Sequence, residues 1–290
     1  MGIILEKTKN GLDILSEKFT NEIYEKYIKG EIKMSDLPII LGANRYVIET
    51  YMKNNGLKFR RDVLKENIDD IFFDEINTEE KAYMLGYYYA DGTCNDKSYN
   101  ITMSQTKEDS YIIELFKKLS PYTKITETKE CYNKKNGHIS KPMLSISINS
   151  KHMVETMTNY GIGKNKTYRT VTDFSFVPKE FMIHFIRGYF DGDGCVSVTN
   201  GIRKIKGHEY KYHNYTWSII SHNKEPLCFI KKFLEENYEI YSNVIQEKRG
   251  NYLILINRKN DFFKFRDILY QNAEFFLSRK KEKYYSYEKI

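Results

Sequence analysis

The chain has little of what would fix its class at a glance. Among 290 residues there are one tryptophan, five prolines and four cysteines. Cys94, Cys131, Cys195 and Cys228 are widely spaced, with no CxxC pair and no paired histidine spacing. A zinc ribbon and a disulfide framework are both excluded on that ground. No apolar run approaches the roughly 20 residues a membrane span needs. The opening MGIILEKTKNG is too short and turns charged too soon for a signal peptide. The expectation is a soluble, reduced, cytoplasmic protein (host-cell cytoplasm if a phage encodes it, an organelle being the alternative) with no membrane partner. Acids are in the minority, 39 against 46 Lys plus Arg for a net charge of +7, which favours a polyanionic partner. With 41% apolar residues, the chain can bury the core of one large domain or of two to three smaller units.

What is present first is a run of short helical patterns. NEIYEKYIKG, MSDLPIILG and NRYVIETYMKNNG are broken at Gly30, Gly42 and Gly56, with Ser35 and Asn44 as expected N-caps. Such spacing resembles a helix-turn-helix with Asn44–Asn54 as its second helix. Asn44, Arg45, Glu49 and Lys53 would then face a DNA groove, Val47, Ile48, Tyr51 and Met52 would include the buried face, and the trailing Lys58, Arg60 and Arg61 would add contacts to DNA. This unit with its acidic connector spans residues 1–76.

Beyond it the sequence repeats. Residues 77–172 run from a helix ending YYYADG through strand YNITMS, helix EDSYIIELFKKL, a hairpin around NKKNG, strand MLSISIN and helix HMVETMTNYG to the basic GKNKTYR. Residues 173–290 keep the order: a helix ending YFDGDG, YTWSIIS, EPLCFIKKFLEEN, YLILIN, DFFKFRDILY and the basic FLSRKKEKY. SISIN alternates strictly, so one strand face is apolar and the other a row of small polar groups. The basic excursion NGIRKIKGHEYKYHN offers Arg203, Lys204 and Lys206 to phosphates.

The two apolar helices carry Gly86 and Gly188 at equivalent places, and a missing side chain lets two helix backbones approach closely. Packing one against the other brings Asp91 and Asp193 to the same C-terminal end, where the helix dipole already disfavours negative charge. Two carboxylates there repel unless a cation neutralises them. Oxygen donors from Asp91, Asp193 and the freed carbonyls near Ala90 and Gly192 suit Mg²⁺ or Mn²⁺ better than Zn²⁺.

MLGYYYADG and IRGYFDGDG resemble the two motifs of LAGLIDADG homing endonucleases, over about residues 79–290. The resemblance implies an α+β fold of two αββαββα halves, related by a pseudo-two-fold axis and forming a β-saddle. It implies a monomeric, site-specific double-strand DNA endonuclease of a mobile genetic element, with Asp91 and Asp193 as metal ligands. Through the internal repeat it makes Gln105 (in SQTKE) and His222 (in SHNKE) candidates for holding water near the metal, and Lys166 and Lys280 candidates for placement beside the scissile phosphate, with Lys281 or Arg279 as alternatives to Lys280. Thr102, Ser145, Ser147, Thr216, Ser218, Arg249, Arg258 and Lys259 would contact bases and phosphates. Tyr89 departs from the family, which often has an acid there, but that position is mainly helix-end structure and the departure leaves the metal-binding acid, Asp91, untouched; Asp191 is the lesser acid of the second motif.

Two other readings share the fold: a DNA-binding regulator without catalysis and an RNA-splicing maturase with intron RNA as partner. An HNH nuclease built from His213, Asn214 and His222 lacks the acidic-His turn. An intein is disfavoured by the absence of a Cys or Ser at the start and of His-Asn at the end.

Overall fold

The computed structural model describes residues 11–133, 138–162, 173–248 and 250–287. Lys166 and Arg249 lie outside them. The chain forms two compact units, Met1–Asp69 with Lys117–Thr126, and Asp70–Phe116 with Glu127–Ile290.

The first unit holds α1 (Gly11–Lys18), α2 (Asn21–Lys29), α3 (Leu37–Leu41), α4 (Arg45–Asn54) and α5 (Arg60–Glu66). Asn44 caps α4, its side-chain oxygen accepting the Val47 N–H at 3.0 Å, and glycines with positive φ, Gly30 and Gly42, stop α2 and α3. Leu15, Phe19, Tyr27, Ile28, Leu37, Leu41, Ile48 and Met52 form its core. Of the four residues expected on the inner face of α4, Ile48 and Met52 are buried, while Val47 and Tyr51 are partly buried and pack against the same core.

Two expectations need correction in this unit. Asp36, not Ser35, occupies the N-cap of α3, because Pro38 sets the first turn one residue later; the Asp36 carboxylate accepts the Lys33 N–H at 2.9 Å. Arg60 is not a free phosphate contact. Its guanidinium donates to the carbonyls of Ile28 (3.1 Å) and Tyr122 (3.2 Å), satisfying the end of α2 and tying in the segment 117–126.

In the second unit the same series of elements occurs twice. The first half comprises α6 (Glu79–Asp91), β1 (Thr93–Asn95), β2 (Asn100–Thr106), α7 (Ser110–Lys118), β3 (Thr126–Glu127), β4 (Cys131–Asn133), β5 (His138–Ser140), β6 (Met143–Asn149) and α8 (Lys151–Asn159). The other half has α9 (Met182–Asp193), β7 (Gly194–Ile205), β8 (His208–Ser221), α10 (Glu225–Tyr238), β9 (Asn243–Gln246), β10 (Tyr252–Ile256), α11 (Lys259–Tyr270) and α12 (Ser278–Tyr285). Each half builds a four-stranded sheet of matching order, β1-β2-β6-β3 and β7-β8-β10-β9, so the class is α+β.

Period-two patterning sets each sheet's buried face. Ile101, Met103, Ile146 and Ile148 point into the first core, and Val196, Tyr215, Trp217, Ile219, Ile254 and Ile256 into the second. The basic excursion is a continuation of β7 and β8, paired through Ile205 and His208 around a Lys206-Gly207 turn. Among the described residues, no helix is long and apolar enough to cross a membrane.

Candidate functional site

The site is built on α6 packed against α9. Contact between them is backbone to backbone: a methyl on Gly86 would collide with the Phe185 carbonyl, and one on Gly188 with the Tyr83 carbonyl and the Tyr87 N–H. The crossing is reciprocal, since each glycine lies against the other helix three residues before its own counterpart. At the C-terminal ends a methyl on Gly192 would strike the Ala90 side chain and lie 3.6 Å from Asp91 Oδ2. The two ends therefore converge. Asp91 and Asp193 are both exposed there.

Gln105, at the buried end of β2, donates its side-chain N–H to Asp91 Oδ2 at 2.7 Å. Beside Asp193 opens a cleft of about 240 Å³ lined by Tyr89, Ala90, Tyr189, Asp193, Ile220, Ser221, His222, Asn223 and Asn251. Gln105 and His222, matched through the repeat, thus sit near the aspartates of their own halves. Among the described residues no cluster of three or more His, Cys, Asp or Glu could hold a metal. Coordination at the paired ends would accordingly draw on two carboxylates, backbone carbonyls and water.

Residues 180–270 match the LAGLIDADG-like domain family. The structure of the homing endonuclease I-WcaI bound to its DNA recognition sequence is similar over 77% of this chain and 91% of that one, with a TM-score of 0.51 at 12% identity. The second half of the repeat thus carries a LAGLIDADG-like domain. The N-terminal LAGLIDADG domain of DUF199/WhiA is similar over 73% of this chain and 90% of that one, with a TM-score of 0.41 at 17% identity. In sequence, the chain is 21% identical to the DNA-directed RNA polymerase subunit Rpo1C of Methanocaldococcus jannaschii over 89% of its own length, spanning 32% of that subunit.

The helix pair also shows what the acid missing from the first motif leaves behind. Asp191 is fully buried and accepts the hydroxyls of Tyr270 (2.6 Å) and Tyr83 (2.9 Å) and the Leu277 N–H (2.7 Å). Burial pushes its carboxyl up to about 6, against the opposing pull of these donors. It anchors the approach to α12 and does not reach the paired ends.

Arg187, which the sequence reading gave no role, is buried inside the helix pair. Its guanidinium donates to the carbonyls of Phe275 (2.7 Å) and Leu269 (2.9 Å) and to Glu79 Oε1 (2.5 Å), which also accepts the N–H groups of Glu274 and Phe275. The only signal for it was an arginine in an otherwise apolar LAGLIDADG helix.

Lys280 is buried too. Its ammonium donates to the Gly194 carbonyl, next to Asp193, and lies 5.2 Å from the Phe190 ring centre. Burial, with Arg279 adding to it, holds that ammonium below the usual lysine range. Neighbouring Arg279 makes a two-pronged pair with Asp109 of the first half, at 2.7 and 2.6 Å.

On the strands the expected register holds for the first sheet. Thr102 pairs with Ser147 (hydroxyls 3.0 Å apart) and Ser104 with Ser145 (2.7 Å), all on the face away from the core. Thr216 and Ser218 share the corresponding face of the second sheet, but Ser218 is only 7% exposed, shielded between its partners Cys195 and Leu255. As a base contact, Ser218 is therefore withdrawn. Arg203, Lys204 and Lys206 stand exposed on the ribbon, with Lys204 paired to Glu209 at 3.0 Å. Arg258 stacks on Tyr241 at 3.8 Å, and Lys259 is exposed. In the first unit Arg45 pairs with Glu49 at 2.7 Å while Lys53 and Arg61 are exposed.

Proposed function

We propose that the chain is a monomeric, site-specific double-strand DNA endonuclease of the homing type, hydrolysing one phosphodiester per strand. The observation that supports it most is the convergence of the α6 and α9 ends that carry Asp91 and Asp193, where Gly192 lies against Ala90 and close to the Asp91 carboxylate. The donor set fits Mg²⁺ or Mn²⁺: hard carboxylate oxygens of Asp91 and Asp193 with the carbonyls of Ala90 and Gly192, and, among the described residues, no thiol or imidazole cluster. When bound, such an ion supplies charge neutralisation and Lewis acidity toward phosphoryl oxygens.

The remaining work falls to the chain. Gln105 fixes the orientation of Asp91 through its 2.7 Å bond. His222, exposed on the rim of the cleft, can order water beside Asp193. Lys280, held at Gly194, adds positive charge next to the same aspartate. Lys166 is its proposed counterpart in the first half. The basic ribbon and the polar sheet faces would position the duplex, and Asn44, Arg45, Lys53 and Arg61 of the first unit would extend the contact as a helix-turn-helix.

The test is a cleavage assay on DNA selected by the chain from a random pool, with Mg²⁺ or Mn²⁺. Asp91→Asn and Asp193→Asn are each expected to keep binding and lose cleavage by roughly a thousandfold or more. Binding without cleavage by the native chain would overturn the endonuclease reading in favour of a regulator.

A further inference from the structure

The outer faces of the two sheets are chemically unlike. In the first, the rows across the strands are Thr93–Thr102–Ser147 and Ser104–Ser145, hydroxyl against hydroxyl. In the second, one row is Ile220–Leu253–Ile245, running across β8, β10 and β9. Ile220 is 37% and Ile245 46% exposed although both are large and apolar. This row lies opposite the core, whose own row is Ile219–Ile254–Val244. Its exposure is therefore not a by-product of a buried position.

The row is narrow and set in polar surroundings. The next row along β10 contains Ser218 and Asn243 around Leu255. Exposed Lys224 and Lys248 stand beyond the ends of β8 and β9, each next to an exposed acid (Glu225 and Glu247), and exposed Arg258 and Lys259 follow β10 at the other end. A protein partner or a membrane would call for a wider apolar patch and fewer charges. A short apolar strip, followed by a mixed row and with cations beyond both ends of its strands, matches the major groove of DNA, where apolar side chains meet the C5-methyl of thymine between flanking phosphates. Ile220 also lines the cleft beside Asp193, which puts the strip next to the reaction centre.

We propose that the second half reads its half-site through thymine methyl groups, with Ile220, Leu253 and Ile245 as the specificity-determining residues. The first half reads by hydrogen bonds from Thr102, Ser104, Ser145 and Ser147. The inference rests on the endonuclease reading for its duplex partner and adds a chemical asymmetry to the target.

The test uses the full chain and a duplex selected from a random pool in metal-free buffer. Each thymidine is then replaced by deoxyuridine, which removes the methyl and keeps the hydrogen-bonding edge. Expected is a run of positions in one half-site where each methyl lost weakens binding about fourfold, and no such positions in the other. The double variant Ile220→Thr, Ile245→Thr, both sites being partly exposed and the new residues strand-compatible, should lose that sensitivity while still binding. Deoxyuridine without effect in either half-site, sensitivity undiminished in the double variant, or a concentration-dependent dimer that the double variant abolishes would each overturn the inference. Failure to select any duplex would overturn it together with the endonuclease reading, whereas selection without methyl sensitivity overturns the inference alone.

Discussion

The two halves share a frame and differ in what fills it. Both end a buried helix with an exposed aspartate, both put a glycine at the crossing, and both order their four strands alike. Where the first motif has Leu85 and Tyr89, however, the second has Arg187 and Asp191, each buried and fully engaged. Their partners lie mainly in the segment 269–277, which leads to α12 in the second half. What is common to the halves is what the helix pairing and the paired acids require. What differs holds down the C-terminal segment that brings Lys280 to Gly194 and Arg279 to Asp109.

The largest expected effect lies in the shared part. Gly86→Val and Gly188→Val each force branched carbons into a backbone contact, and each should cost at least about 4 kcal/mol of stability, seen as a lower denaturation midpoint. A large difference between these two variants would break the symmetry argued for the crossing.

Next comes the asymmetric part. Arg187→Ala strands Glu79 without its charge partner and should destabilise by about 3 kcal/mol, whereas Arg187→Met combined with Glu79→Gln should recover much of the loss. Equal damage from both would mean that the charges matter less than the packing.

A smaller effect is expected from the groups beside the acids. Gln105→Ala should slow cleavage of one strand about 10- to 100-fold by freeing Asp91, with the other strand nearly unaffected. His222→Ala should do the reverse. Strand-resolved nicking kinetics read both, and loss on both strands from either change would merge the two sites into one.

The least is expected at His152, in the first half alone, whose ring lies 2.8 Å from the Asp74 carboxylate. That hydrogen bond raises its pKa above the ordinary 6.5. Since the folded value lies above the unfolded one, the added stability is fully present below 6.5 and is lost as pH rises through the folded value. The melting temperature of the native chain should exceed that of His152→Gln slightly at acidic pH, and the gap should close toward alkaline pH.

Much of this was legible in sequence because it repeats. Glycine and aspartate at the same spacing in two apolar helices, each followed by matching strands, specify the pairing and the convergence of the acids. The buried polar network was not legible. Arginine in an apolar helix carries no mark of its partner when Glu79 and the Phe275 carbonyl lie far away in the chain. Lys280 stood out from its basic tail only through the family resemblance, and only the fold shows that it is buried. Arg60 was misread for the related reason that a cation near a helix start looks the same whether it meets a phosphate or two carbonyls. The ribbon of β7 and β8 was hidden by charge, since strand patterning fades where neither face meets a core.

The Arg279–Asp109 pair reaches from the last helix of the second half to the first half, and the Glu79–Arg187 pair crosses between them near the opposite end of α6. Together with the glycine crossing they form a closure independent of the peptide bonds that connect the halves. Two separate polypeptides divided between the halves would thus still carry every group needed to find and hold each other, and the single chain is one way of supplying both at equal dose.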